Sequence, residues 1–321
     1  MAALFLAGVS VGCAADKPEA QISFKLTDEN SAPLANAPVH IVTLDHVAPG
    51  AGFGDSIYKE TNVLTDVKGL ASITWTSADG QFSYDANKML GYYEGGGLYL
   101  FKSSLADQWQ PRNPTIELVL KPIVNPVPMY AREIKTRIAK PEQRYGYDLL
   151  AADWVAPQGK GQTADLFFEL TGYANNVKDY NSTLTVTFTN PLDGIQSFVP
   201  TKGSAFRSPR VAPLDGYQDK LDLRRVRKPE QSSADWIDDT QSETNYFFRI
   251  RTVLDENGKI KSALYGKIYG GFKFFGASTN GSFLTIPTYY LNPEANSRNM
   301  EFDPKQNLFK NLPPLERVSA P

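Results

Sequence analysis

The stretch "LTDENSAPLANAPVHIVT", residues 26–43, decides how the chain is read. Ile22, Phe24 and Leu26 alternate with polar neighbours up to its first residue, the two-residue period of a strand with one buried face. A cluster of acids, amides, Ser and Pro then breaks the run, and "APVHIVT" begins a second strand pattern. The same punctuation returns as "TDVKG" at 65–69 and "LDENGKIKS" at 254–262. Asp, Asn, Gly and Pro are turn residues, and no metal-loop spacing follows any copy, so the repeats are read as turn chemistry. Ser31 stands where the last copy has Gly258. A positive φ is costly for a residue with a side chain, so a type I turn or a slightly longer loop is expected at Ser31.

Working outward, the chain of 321 residues has 24 Gly, 22 Pro and a 21% charged fraction, which favours short strands and many turns over long helices. "LASITW", "GGGLYLFK" and "TIELVLK" continue the strand pattern, with turn signals about every ten residues as in a sandwich. "KPIVNPVPMY", 121–130, is Pro-rich and marks the domain boundary. Beyond it, "ADLFFEL" places Leu166, Phe168 and Leu170 on one face, and "STLTVTFT" does the same with Leu184, Val186 and Phe188. "NYFFRIRTVL" puts Tyr246, Phe248, Ile250 and Leu254 opposite Phe247, Arg249 and Arg251. The expected fold class is therefore all-β. A sandwich over 21–121 is followed by a larger β-sandwich or jelly-roll-like domain over 128–309, then a flexible tail at 310–321.

The order T-D-x-x-x-x-P-L-x-x-A-P-V at 27–39, followed by T-D-x-x-G-x-A at 65–71, resembles the first half of carboxypeptidase-regulatory-like (transthyretin-like) domains. It is also similar to bacterial Ig-like domains. The resemblance covers about a third of the chain and implies a sandwich that acts as a spacer or binding module. At the start, "MAALFLAGVSVGCAAD" joins an apolar run of signal-peptide length to the single cysteine. It resembles a bacterial lipoprotein signal with Cys13 as the lipidated residue, and residues 1–15 also fit an ordinary cleaved signal peptide or an uncleaved N-terminus. No Lys or Arg precedes the run, and Ser10 stands where that family prefers Leu.

The chemistry-bearing residues are few. His40 and His46 are the only histidines, which excludes a Ser-His-Asp site within the larger domain; Cys13 leaves no cysteine nucleophile there. The Gly-rich stretches "GAGFG" (50–54) and "EGGGLY" (94–99) lack a following helix or a GK[ST] ending, so they are loops rather than phosphate cradles, and no cofactor is expected. "SSADWIDDTQSE" gathers Asp235, Asp238 and Asp239 around Trp236. These acids are weak candidates for calcium or, with Glu169, for the acid pair of a glycoside hydrolase; a solvated loop is the competing reading. "RRVRK", Arg224 to Lys228, reads as a charged loop, and a net charge of -2 gives no attraction for nucleic acid. Tyr92, Tyr93, Trp109 and Trp236 are candidate aromatic contacts for a ligand. The leading expectation is an exported, non-enzymatic binding or structural protein of the bacterial envelope, with a polysaccharide or an envelope protein as partner and a possible lipid anchor. The alternatives are a carbohydrate-active enzyme using paired carboxylates and a subunit of a surface assembly.

Overall fold

The computed structural model describes residues 17–47, 56–77, 79–105, 108–240, 244–278 and 281–321. Cys13 and the "GAGFG" loop lie outside them, as does the side chain of His46. The described residues are all-β, with three single-turn 3-10 segments and no α-helix. They form two compact units. One runs to Ile123 and takes in Lys202–Ala205; the other comprises Val124–Thr201 and Phe206–Pro321.

The first unit contains β1 (Glu19–Asp28), β2 (Pro38–Val47), β3 (Ser56–Leu64), β4 (Leu70–Thr76), β5 (Gln81–Asp85), β6 (Gly96–Leu100), β7 (Ser103–Leu105), β8 (Gln108–Gln110) and β9 (Thr115–Leu120). In one sheet, β1 pairs antiparallel with β4 and parallel with β8 and β9. The other sheet has the order β3-β2-β5-β6. The two runs quoted at the outset thus belong to different sheets, and the segment between them carries the chain across the sandwich. Their inward residues Ile22, Phe24, Leu26, Val39 and Ile41 meet in one core with Trp75, Phe82 and Leu118. Each such buried side chain contributes about 1.5–3 kcal/mol.

The second unit contains β10 (Tyr130–Ile138), β11 (Arg144–Asp148), β12 (Asp153–Trp154), β13 (Leu166–Asn176), β14 (Asp179–Phe188), β15 (Gly194–Phe198), β16 (Lys220–Arg227), β17 (Ile237–Asp238), β18 (Asn245–Leu254), β19 (Ile260–Tyr269), β20 (Lys273–Phe274) and β21 (Ser282–Asn292). One sheet runs β10-β21-β19-β18-β15, with β20 beside β21; the other runs β12-β11-β13-β14-β16-β17. Leu166, Phe168, Leu170, Leu184 and Val186 face Phe248, Ile250, Ile268, Leu284 and Ile286 in a single core. Three expectations need correction. Leu254 is 42% exposed rather than in line with Ile250: it ends β18 beyond two successive irregularities, where its neighbour Val253 is exposed as well and the strand has left the core. "RRVRK" is not a loop, since Arg224, Arg225 and Arg227 lie in β16. The tail is docked: Glu316 pairs with Arg132 at 2.6 Å, and the Tyr290 hydroxyl donates to the Ala320 carbonyl.

The three punctuation marks fold alike. Asp28, Asp66 and Asp255 each accept, through Oδ1, the amides two and four residues later. The fourth residue of each turn adopts a left-handed φ, 66° at Ser31, 74° at Gly69 and 75° at Gly258. The amides of Leu70 and Lys68 hold the Asp66 carboxyl below the usual carboxylate range. Contrary to expectation, Ser31 takes the same positive φ as the glycines: Asp28 secures the turn whatever the fourth residue is. At Gly69 a Cβ would sit 2.4 Å from the Leu26 carbonyl oxygen, whereas at Gly258 it would meet nothing within 4 Å. Replacing Ser31→Gly is therefore expected to stabilise the first unit by up to about 1 kcal/mol, and Gly258→Ser to cost the second a similar amount, since the left-handed region costs an L-residue about 1–2 kcal/mol. Urea unfolding of each variant measures both.

Candidate functional site

The acids singled out in the sequence are dispersed. Asp235 ends the 3-10 turn Ser233–Asp235. Asp238, in β17, sets Oδ2 against the Arg225 guanidinium at 3.1 Å, while its Oδ1 accepts from the Thr240 amide and hydroxyl. Burial would raise its pKa, but the Thr240 hydrogen bonds and Arg225 more than offset this and hold it low. Asp239 accepts the Arg224 amide at 2.9 Å. Glu169 lies in the β13 ladder opposite Thr185. Trp236 lies under the Arg227 guanidinium, 3.8 Å from the ring centroid. Among the described residues, no group of three His, Cys, Asp or Glu side chains could hold a metal ion.

The candidate aromatics of the first unit have packing partners. Tyr93 is buried, and Tyr92 and Trp109 pack against the core. The Trp109 indole N–H donates to the Ser77 carbonyl, and its ring lies 5.7 Å from Phe101. His40 bridges Asp85 at 3.1 Å and Glu60 at 3.4 Å on the outer face of the β3-β2-β5-β6 sheet.

Sequence reading missed the pair of carboxylates that does converge. Asp148 ends β11 and Asp165 immediately precedes β13. Arg251, in β18 of the facing sheet, reaches both: Nε to Asp165 at 2.7 Å and Nη2 to Asp148 at 2.9 Å. Arg251 has a positive φ of 54°, and its amide and that of Thr252 donate to Asp193. This backbone irregularity lets the side chain cross between the sheets. At Asp148 burial acts upward, but the amides of Ala151, Thr163 and Gln162, together with Arg251, outweigh it and hold the carboxyl low. At Asp165 burial prevails over the same arginine and the carboxyl is pushed up.

A second feature absent from the sequence reading is a caged amine. Lys267 is fully buried on β19, its Nζ 2.8 Å from the Tyr269 hydroxyl and within 4.7 Å of the ring centroids of Phe206, Tyr269 and Tyr290. The rings face a desolvated cation, an interaction of about 2 kcal/mol.

Removing the arginine from the carboxylate pair leaves two buried acids without their cation. Arg251→Met is expected to cost about 3 kcal/mol in urea unfolding, and adding Asp165→Asn to recover part of that. Because the Asp148 carboxyl is held below its ordinary value in an unfolded chain, its stabilisation is present above that ordinary value and is lost as pH falls through the folded value. The stability gap between the wild type and Asp148→Asn should therefore be widest above about pH 4 and narrow in acid.

No family model matches the chain, and no curated protein matches it. Among solved structures it is similar to the major pilin subunit BcpA of Bacillus cereus at 10% identity, covering 84% of this chain and 95% of that one, with a TM-score of 0.24. It is also similar to the major pilin SpaA of Corynebacterium diphtheriae at 8% identity, covering 79% and 70%, with a TM-score of 0.24. A third similar structure is the shaft pilin SpaA of Lactobacillus rhamnosus GG, at 13% identity, covering 69% and 98%, with a TM-score of 0.22.

Proposed function

We propose that this chain is an exported, non-catalytic β-sandwich protein of a bacterial surface, acting as a subunit of a surface assembly. The observation that carries this reading is the outer face of the β3-β2-β5-β6 sheet. Leu98 is registered beside Ser83 and Val42, and Leu100 beside Gln81; on the next strands Leu44 lies opposite Tyr58. Tyr58, Leu98 and Leu100 are each about 60% exposed. Large apolar side chains exposed along both edges of one solvent face, here Leu98 and Leu100 on β6 and Tyr58 on β3, mark an association surface. The neighbouring subunit it would meet is a second copy of this chain, since a face that carries exposed apolar side chains beside the His40, Asp85 and Glu60 cluster presents each partner with matching apolar and charged contacts across a two-fold axis. A non-catalytic role is further supported by Asp148 and Asp165, whose oxygens are taken up by Arg251 and backbone amides. In this reading, residues 21–121 serve as a spacer module of the carboxypeptidase-regulatory-like or Ig-like kind, and Cys13 carries a lipid anchor. No helix among the described residues is long and apolar enough to cross a membrane.

Sedimentation should show concentration-dependent self-association that Leu98→Lys with Leu100→Lys abolishes without lowering the unfolding midpoint. A strictly monomeric wild type, or a double variant that still associates, removes the basis of the reading. Cys13→Ser is expected to move the protein from the membrane to the soluble fraction on cell fractionation; unchanged fractionation rules out the anchor.

A further inference from the structure

The outer face of the β10-β21-β19-β18-β15 sheet is covered over much of its extent. Ala212, Met300 and Tyr217 lie over Phe247 and Tyr265, while Phe302 and Val318 lie against Tyr290 and Ala131. At the corner formed by β10, β21 and β20 the face is exposed. Lys135, Thr285 and Lys273 are registered side by side across the three strands. In the parallel row, Arg137 is opposite Phe283, whose carbonyl accepts the Phe275 amide. Phe275 is 66% and Phe283 53% exposed, an unusual state for two phenylalanines on a sheet whose other aromatics are buried or half-buried. The Arg137 guanidinium sits 4.3 Å from the Phe283 ring centroid. Beside the rings runs an open groove of about 450 Å³, closed on its far side by Arg225, Asp238 and Thr240.

Charge and shape together identify the occupant. Lys135 is paired with Glu133 at 3.3 Å and Arg225 with Asp238 at 3.1 Å. Among the described residues, Arg137 and Lys273 have no carboxylate partner, so the corner carries positive charge on a chain whose net charge is -2. Exposed rings stack on the apolar C–H faces of sugars, free cations take carboxylates, and Thr240, Thr285 and the Asp238 rim suit hydroxyl groups. We propose that this corner of the second unit binds an acidic polysaccharide, with Phe275 and Phe283 stacking on sugar rings and Lys273 and Arg137 pairing with the sugar carboxylates.

Affinity electrophoresis of the full chain tests this in gels containing polygalacturonate, alginate or hyaluronate, with dextran as the neutral control and a single-stranded oligonucleotide as competitor. The wild type should be retarded by at least one acidic polymer and not by dextran, and retardation should weaken as salt rises. Phe275→Ala with Phe283→Ala, and separately Lys273→Glu, should each weaken it at least tenfold while leaving the unfolding midpoint unchanged. Failure of all three acidic polymers to retard the protein overturns the proposal. So does equal retardation by dextran, unchanged binding in the variants, or tighter binding of the oligonucleotide.

Discussion

Arg251 is the tie on which the second unit depends. It leaves one sheet at a strand irregularity and ends between two carboxylates that belong to the other. A guanidinium suits this task because its planar fork reaches two carboxylates at once. The acids are satisfied from behind: Asp148 accepts the amides of Leu150, Ala151, Gln162 and Thr163, and Asp165 that of Leu149. These amides come from the loops that flank β12, so one side chain joins the two sheets and orders the connections around β11. Such a network stabilises only while complete, since a lone buried carboxylate is costly.

The same tie explains why this pair of acids is a poor catalyst. Catalytic carboxylates need a proton to give or a free oxygen to attack, and a groove that brings substrate to them. Here the oxygens are occupied and the cation is already in place. The more exposed acid, Asp238, is likewise paired with an arginine. What the molecule leaves available is surface. The first unit offers a sheet face with Tyr58, Leu98 and Leu100 exposed, and the second offers two exposed rings among cations. Both proposed roles rest on these surfaces rather than on a catalytic centre.

Where the outer sheet faces are covered, long connections do the covering. The polar stretch after β15 plays two parts. It first lays Phe206 and Ala212 over the sheet and then enters the facing sheet as β16. Arg249 illustrates the consequence. On the face opposite Phe248 and Ile250, it is buried and donates to the Leu192 and Leu214 carbonyls. A charged residue in a strand tells nothing of what will later fold over it.

The sequence by itself determined the strands, the turns and the inward faces. Period-two runs such as "STLTVTFT" bury the residues that they mark, because alternation follows from backbone geometry alone. The Asp-led turns were equally legible, although Ser31 shows that the aspartate, not the glycine, specifies them. Tertiary structure alone decided which sheet each strand joined, which second faces were covered, and which charges met. Asp148 and Arg251 stand 103 positions apart, and Lys267 meets Phe206 from a distant loop. Phe275 and Phe283 are the type of residue that usually lies in a core, yet they are exposed because none of the described residues folds over that corner. Local periodicity is written residue by residue, whereas partnership across the sandwich depends on how the loops between strands route the chain.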